Sequence, residues 1–223
     1  MIAVEKQIGA VVFFGPPGAG KGTQARQIAP RLGVPHISTG DMIRAEVAAG
    51  TSLGGQVRAV MEKGELIPDE IVNQLVEERL KQPDCRRGFV LDGYPRTRGQ
   101  AQALEAMPAG QDGPITVFNM RVPPEEVVRR IMGRRLCPQC GTIYNLHFQP
   151  PRDSNRCDLD QTPLEIRADD REEVIRERLA AYEKETRPVM DYFRRRGQAI
   201  YELDGSLPAE MISDQLCRVL NPA

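Results

Sequence analysis

Short apolar runs alternate with longer amphipathic stretches along most of the chain. The run Ala-Val-Val-Phe-Phe at residues 10–14 is β-branched and aromatic without polar alternation, which is typical of a strand buried on both faces. Four further short runs are also predicted to be strands. The predicted strands are residues 10–14, 34–37, 88–91, 115–119 and 198–203.

Helical patterns lie between these runs, and glycine or proline marks many of their ends. The last long stretch, residues 169–196, is highly charged and is expected to bend near Pro188. The predicted helices are residues 20–32, 41–49, 53–63, 69–81, a helix opened by the Pro-Pro-Glu-Glu of residues 123–126, then 169–196 and 207–220. Strands alternating with helices predict an α/β fold with a five-stranded parallel sheet covered on both faces.

Two segments interrupt this alternation. Residues 39–70 are helical with no strand between the helices, and residues 136–168 contain clustered cysteines and many prolines. We interpret both segments as small domains inserted into the α/β core, the first helical and the second β-rich. The predicted core is therefore made of residues 1–38, 71–135 and 169–223.

Composition limits the classes of function. Thirty basic and 31 acidic residues give a formal net charge of -1, which argues against broad nucleic-acid binding. No apolar run approaches the roughly 20 residues that span a bilayer. Residues 1–9 do not resemble a secretory signal, so a reducing cytoplasm is expected and the five cysteines are more plausible as metal ligands or buried thiols than as disulfides.

The glycine-rich sequence GPPGAGKGT at residues 15–23 lies between a predicted strand and a predicted helix, the context of a P-loop. Its backbone N–H groups can surround phosphate oxygens, and Lys21 can reach the β- and γ-phosphates. In the general P-loop pattern Ser or Thr follows the lysine. Here that position is Gly22 and the hydroxyl comes at Thr23, so this loop is predicted to hold Mg²⁺ less directly.

Asp92 ends the predicted strand Gly-Phe-Val-Leu at residues 88–91. A carboxylate at this end of a parallel strand can hold Mg²⁺ or its water ligands, as a Walker-B aspartate does. A turn or capping aspartate is the alternative.

Five motifs occur in a fixed order along the chain. They are GPPGAGKGTQ at residues 15–24, STGDMIR at 38–44, LDGYPRT at 91–97, GRR at 133–135 and RADD at 167–170. Together they resemble the adenylate kinases, which convert ATP and AMP into two ADP. The resemblance runs from about residue 11 to the last predicted helix.

The resemblance implies a donor site and an acceptor site. Arg44 and Arg96 would bind the AMP phosphate, and Gln100 would pair with the adenine edge unless it is a surface glutamine. The implied AMP-binding residues are Thr39, Arg44, Gly93, Arg96, Gln100, Arg167 and Arg178. The implied ATP-binding residues are Gly18, Ala19, Gly20, Lys21, Gly22, Thr23, Arg130, Arg134, Ile143 and Tyr144.

Catalysis would consist of positioning two nucleotides and neutralising their phosphates, a task that suits guanidinium groups. The implied catalytic residues are Lys21, Asp92, Arg96, Arg134, Arg167 and Arg178. No general base is needed, because the attacking group is already a phosphate oxygen. Asp169 and Asp170 orient neighbouring arginines, act as a hinge of the inserted segment, or form an acidic pair at a helix N-terminus.

Four residues of the second inserted segment have the spacing of metal ligands. Cys137 and Cys140 form one pair, and Cys157 and Asp160 form the other, which matches a structural Zn²⁺ site with one thiolate replaced by a carboxylate. The alternatives are Asp158 as fourth ligand, His147, which lies outside both pairs, as a ligand, or a segment without metal. The resemblance is to the long-lid, zinc-binding type of adenylate kinase.

The resemblance also implies how the inserted segments act. Residues 136–168 would form a lid that closes over ATP and excludes water, and residues 39–70 would close over AMP. ATP, AMP and ADP would be the ligands, Mg²⁺ and Zn²⁺ the cofactors, and a monomer the working state. The alternatives are a kinase for UMP or CMP with the same frame, and a non-enzymatic zinc-binding nucleotide sensor.

Overall fold

The computed structural model describes residues 7–111, 113–153 and 155–220. The strands are β1 Gly9–Phe14, β2 His36–Ser38, β3 Gly88–Asp92, β4 Ile115–Arg121, β5 Arg134–Leu136, β6 Ile143–Asn145 and β7 Ala199–Asp204. The helices are α1 Lys21–Leu32, α2 Thr39–Ala49, α3 Ser52–Lys63, α4 Asp69–Leu80, α5 Arg98–Ala106, α6 Pro108–Gln111, α7 Pro124–Met132, α8 Glu172–Ala181, α9 Val189–Arg195 and α10 Ala209–Leu220. Short 3₁₀ turns span Pro83–Cys85 and Ala168–Asp170, and a π-helical turn spans Tyr182–Thr186.

The central sheet has the strand order β2-β3-β1-β4-β7, and every pair in it is parallel. This confirms the predicted five-stranded parallel α/β fold. All six residues of β1 are buried, because helices cover the sheet on both faces. The carboxyl ends of β1 and β3 therefore lie side by side, and the loops that follow them meet at one edge of the sheet.

Two apolar clusters lie on opposite faces of the sheet. Phe14, Phe89 and Phe193 belong to one cluster, and Phe13 and Phe118 belong to the other. Alternate residues of β1 contribute to the two faces, as the period of a strand requires. Burial of each large side chain stabilises the fold by about 1.5–3 kcal/mol.

Several predicted boundaries differ from the structure. The second strand is His36–Ser38 rather than 34–37. Pro35 lies outside the strand, although its carbonyl accepts a hydrogen bond from Val90 N–H, and Ser38 is both the last residue of the strand and the N-cap of α2. The long helix predicted over 169–196 is divided into α8, the π turn and α9. Proline lacks the backbone N–H that a continuous helix needs at position 188, where the bend was expected.

Helix α5 was not predicted. Its first residue follows Thr97, whose hydroxyl accepts a hydrogen bond from the Gln100 N–H, and Thr-x-x-Gln is a recognised capping pattern. The antiparallel pair of β5 and β6 lies within and beside the cysteine-containing segment, which agrees with the expectation of a small β-rich unit there.

Candidate active site

The glycine-rich loop joins the buried end of β1 to the start of α1. Gly20 precedes α1 with a left-handed backbone and offers no side chain to cap the helix, so the first N–H groups of α1 remain available to an anion. A Cβ on Gly18 would lie 2.6 Å from Ile131 Cγ1, so a side chain at this position would displace α7. The loop therefore has the geometry of a phosphate cradle.

Lys21 folds back over this loop. Its Nζ donates hydrogen bonds to the carbonyls of Gly15 and Pro16, both at 2.8 Å. Burial lowers the pKa of Lys21 to about 8, and the nearby Arg96, Arg178 and Arg134 also lower it, against the opposing effect of Asp92. A phosphate bound here would reverse this effect by supplying the missing negative charge.

Asp92 lies directly beside the position where the general P-loop pattern has Ser or Thr. A Cβ on Gly22 would be 2.9 Å from Asp92 Oδ2, so a larger residue would push the carboxylate away. The departure at Gly22 thus allows Asp92 to approach the phosphate loop. Burial would raise the pKa of Asp92, but His36 and Lys21 hold it below its usual value, so the carboxylate is charged.

Seven arginines of the described residues line the cavity in front of this loop, which has a volume of about 480 Å³. They are Arg26, Arg44, Arg96, Arg130, Arg134, Arg167 and Arg178. Burial and neighbouring arginines lower the pKa of Arg96 and of Arg167 to about 10, which indicates more positive charge than the surrounding protein neutralises. A ligand with several negative charges is the natural complement of such a cavity.

Two buried carboxylates orient part of this cluster. Asp170 accepts hydrogen bonds from both Nε and Nη2 of Arg134, and Asp169 accepts one from Arg178 Nη1 at 2.8 Å. This confirms the interpretation that the acidic pair orients neighbouring arginines. Both aspartates lie in the 3₁₀ turn before α8, which connects the cysteine-containing segment to the core.

The residues predicted for the acceptor side have different positions in the structure. Arg44, Gly93 and Arg96 line the cavity. Thr39 and Gln100 do not belong to the lining within the described residues, and both are buried. Gln100 uses both ends of its amide internally, since Nε2 donates to Asp69 Oδ1 and Oε1 accepts from Arg96 N–H, each at 2.8 Å. Its contact with an adenine stays a prediction.

The cavity also includes three further residues predicted to bind ATP. Arg130, Ile143 and Tyr144 line it, and the Arg130 guanidinium lies 5.0 Å from the centre of the Phe148 ring. Arg130 is fixed by Glu126, one turn earlier on α7, at 2.6 Å. The Arg130 guanidinium and the half-exposed Phe148 ring provide flat surfaces suited to stacking on a base.

Sequence reasoning missed three parts of this cavity. Phe148, the loop at residues 205–209 and the pair Tyr182 and Thr186 all line it. The loop directly follows the carboxyl end of β7, and ligands of open α/β sheets bind at that edge, so its position in the topology was the available signal. Phe148 was not distinguishable from an ordinary aromatic of the lobe.

The predicted metal ligands come together in the structure. Ligand atoms of Cys137, Cys140, Cys157 and Asp160 all lie within 4.8 Å of one another. The Cys140 and Cys157 sulfurs are 3.5 Å apart, whereas sulfurs bound to one tetrahedral Zn²⁺ are roughly 3.8 Å apart at the usual bond length. This donor set is compatible with Zn²⁺. Neither Asp158 nor His147 belongs to the cluster.

Both halves of the cluster have the same backbone turn. In each, the first cysteine N–H donates to a carbonyl five residues later, and its carbonyl accepts from the N–H four residues later. Tyr144 joins the cluster to the cavity, because its hydroxyl accepts a hydrogen bond from Asp158 N–H at 2.9 Å and lies 3.4 Å from Cys157 Sγ.

None of the helices in residues 7–111, 113–153 and 155–220 combines the length and apolar character needed to cross a membrane.

Comparison with known proteins agrees with this geometry. Residues 13–198 match the family model described as adenylate kinase. The adenylate kinase of Archaeoglobus fulgidus is 48% identical over 211 residues, which cover 94% of this chain and 97% of that protein. The adenylate kinases of Moorella thermoacetica (46% identical, covering 91% of this chain and 94% of that protein) and Thermodesulfovibrio yellowstonii (43%, covering 94% and 98%) are also similar. A match of this extent, on a chain with this phosphate loop and arginine cluster, shows that the protein belongs to the adenylate kinase family.

Proposed function

We infer that this chain is a phosphotransferase that moves the terminal phosphoryl group of ATP to AMP and releases two ADP. The central observation is that Lys21 and seven arginines line one cavity between the P-loop and the Arg44–Arg96 side. Two nucleotides whose phosphates meet in this cavity supply the negative charge that the arginines lack. The alternatives, a UMP or CMP kinase and a nucleotide sensor, are not favoured by the relatives.

In the transfer step an oxygen of the AMP phosphate attacks the γ-phosphorus of ATP as the bond to the β–γ bridging oxygen breaks, and ADP leaves with that oxygen. We propose that Lys21 follows the β- and γ-oxygens during this step and that Arg96, Arg134, Arg167 and Arg178 bind the charge on the transferred group. Asp169 and Asp170 keep two of these guanidinium groups oriented, which favours in-line geometry.

Mg²⁺ is expected to bind together with ATP. We propose that Asp92 binds its water ligands, since Gly22 leaves room for the carboxylate beside the loop. When bound, Mg²⁺ would neutralise charge on the β- and γ-phosphates. Thr23, which also lines the cavity, offers the hydroxyl nearest to the lysine in sequence.

We propose that residues 136–168 act as a lid over ATP and residues 39–70 as a domain that closes over AMP, with 1–38, 71–135 and 169–223 as the core. Zn²⁺ held by Cys137, Cys140, Cys157 and Asp160 would stabilise the lid and take no part in the reaction, since four protein ligands fill its shell. We further propose that the protein acts as a monomer in the cytoplasm, where reduced thiols remain free to bind metal.

The test is phosphoryl transfer from Mg-ATP to AMP, GMP, CMP, UMP and water, measured on one preparation. We expect rapid ADP formation with AMP alone and little hydrolysis without an acceptor. Preferred transfer to another monophosphate would overturn the choice of acceptor. Absence of transfer to every acceptor, from protein that still binds ATP, would overturn the enzymatic function.

A further inference from the structure

Arg26 connects three parts of the molecule. It lies on α1, in the core, five residues after Lys21. Its Nη1 donates a hydrogen bond to the Gly141 carbonyl at 2.8 Å, and its Nη2 donates one to Asp41 Oδ2 at 3.1 Å. Gly141 belongs to the first metal-binding turn of the proposed lid, and Asp41 belongs to the proposed AMP domain.

The position of Gly141 suits this contact. Its backbone φ of 72° is in the left-handed region, which favours glycine. A Cβ there would lie 3.4 Å from Arg26 Nη1, an ordinary van der Waals distance, so the backbone conformation rather than the available space favours glycine here. The proposed metal ligands Cys137 and Cys140 precede Gly141, and a metal bound to them would fix the position of this turn.

On the other side, Asp41 connects Arg26 to the acceptor site. Arg26 binds Asp41 Oδ2, while Arg44 binds Oδ1 of the same carboxylate. Arg167 is also near, 4.0 Å from Oδ1. A continuous series of contacts thus leads from the Gly141 carbonyl through Arg26 and Asp41 to Arg44, which faces the cavity.

We propose that Arg26 is a positioning residue that couples closure of the lid to the geometry of the acceptor site. With the lid closed, the Gly141 carbonyl fixes one end of the guanidinium, so that its other end holds Asp41 and, through it, Arg44. With the lid open, the first contact is lost and Arg44 is less restrained. ATP binding, which favours lid closure, should therefore raise the affinity for AMP. This inference rests on the proposed function.

The test measures the coupling between the two nucleotides by isothermal titration calorimetry. AMP is titrated into the whole metal-bound protein with and without saturating Mg²⁺ and the β,γ-imido analogue of ATP. The ratio of the two AMP dissociation constants is the coupling factor, which we expect to be on the order of tenfold in the unaltered protein. The reciprocal titration of the analogue must give the same factor.

Three variants separate the proposal from a charge effect. Arg26→Gln removes both contacts, and Arg26→Lys keeps the charge but lacks the planar fork that reaches two acceptors at once. We expect the coupling factor to fall to about twofold or less in both. Arg31→Gln is the matched control, since Arg31 is an exposed arginine on the same helix that contacts Cys217; its coupling factor should not change.

A coupling factor in Arg26→Gln equal to that of the unaltered protein, with the protein folded, would overturn the proposal. Full coupling in Arg26→Lys would also overturn it, because charge alone would then be sufficient. Melting temperatures of all variants establish that each is folded. Transfer from Mg-ATP to AMP by the unaltered protein is measured in parallel, so that failure of the proposed function is recognised separately.

Discussion

At the scale of single residues, the site depends on small side chains beside charged ones. Gly22 has no Cβ to displace Asp92, and Gly18 has none to displace Ile131. Because these side chains are missing, the Asp92 carboxylate, the Lys21 ammonium group and the N-terminus of α1 can lie close together. The electrostatic result is clearest at Lys21, whose burial lowers its pKa to about 8.

This pKa predicts how ATP binding depends on pH. Phosphate favours the charged ammonium and raises the pKa of Lys21, so ATP affinity should be complete below pH 8 and decrease as pH rises above it. We expect the ATP dissociation constant, measured by calorimetry, to rise by up to about tenfold per pH unit above 8. Lys21→Met should flatten this profile and lower kcat/KM by about 10²–10³-fold while leaving the fold intact. A profile unchanged by the substitution would contradict the role assigned to Lys21.

A second prediction concerns Gln161. It occupies, in the second metal-binding turn, the place that Gly141 occupies in the first, and its φ of 61° is the only left-handed one among the non-glycine residues described. Gln161→Gly relieves backbone strain of about 1–2 kcal/mol but loses the hydrogen bond from Gln161 Nε2 to the Cys157 carbonyl at 3.1 Å, so it should stabilise this turn by about 0.5 kcal/mol. Slower release of metal to a chelator would measure the gain. Gln139→Gly, in the other turn, is the control and should not slow the release.

At the scale of elements, the lobe around β6 is small and has little apolar core. The one buried apolar cluster described within it contains Cys137, Tyr144 and Cys157, with Leu164 packed against them. Two of these residues are metal ligands in our proposal. Most of the order in this segment is therefore expected to come from ligand bonds and from the paired backbone turns.

Removal of one ligand tests this view. Cys140→Ser should release the metal and lower the melting temperature more than it lowers turnover at low temperature, because the site would be structural. Metal content by elemental analysis, the melting temperature and initial rates measure the three effects. Cys217→Ser, outside the cluster, should keep the metal. An unchanged melting temperature in Cys140→Ser would rule out a structural metal.

At the scale of the whole molecule, the formal net charge is only -1, although the cavity is strongly positive. Arginines from α1, α2, α7, β5, α8 and two loops face it, and the acidic residues that would neutralise them are few. The most buried of these is Asp170, whose side chain is fully inaccessible and paired with Arg134. This pair joins the strand after α7 to the turn before α8, so it links the two ends of the proposed lid.

Asp170→Asn should therefore affect both stability and activity. Leaving Arg134 without its buried partner should cost about 3 kcal/mol of unfolding free energy, and loss of its orientation should lower kcat. Denaturant titration and steady-state kinetics measure the two effects. Asp191→Asn is the control, because the exposed Asp191 pairs with Arg194 at the surface and should contribute less than about 1 kcal/mol. Equal effects of the two substitutions would contradict the prediction.

Much of this protein was determined locally in the sequence. The buried strands, the phosphate loop and the ligand spacing of the metal cluster depend on neighbouring residues and on periodicity, so they were predictable without a fold. The strand alternation was sufficient for the parallel sheet. Helix α5 also had a local signal, its Thr-x-x-Gln cap, which sequence reasoning overlooked.

The tertiary structure decided the rest, because it brings together residues far apart in the chain. Gly22 meets Asp92, Asp170 meets Arg134, and the 205–209 loop meets the P-loop cavity only through the order of strands in the sheet. The internal bonds of Gln100 and the double contact of Arg26 depend on how the inserted segments lie against the core. Spacing along a chain fixes which groups are available, but distances between separate segments are set by packing.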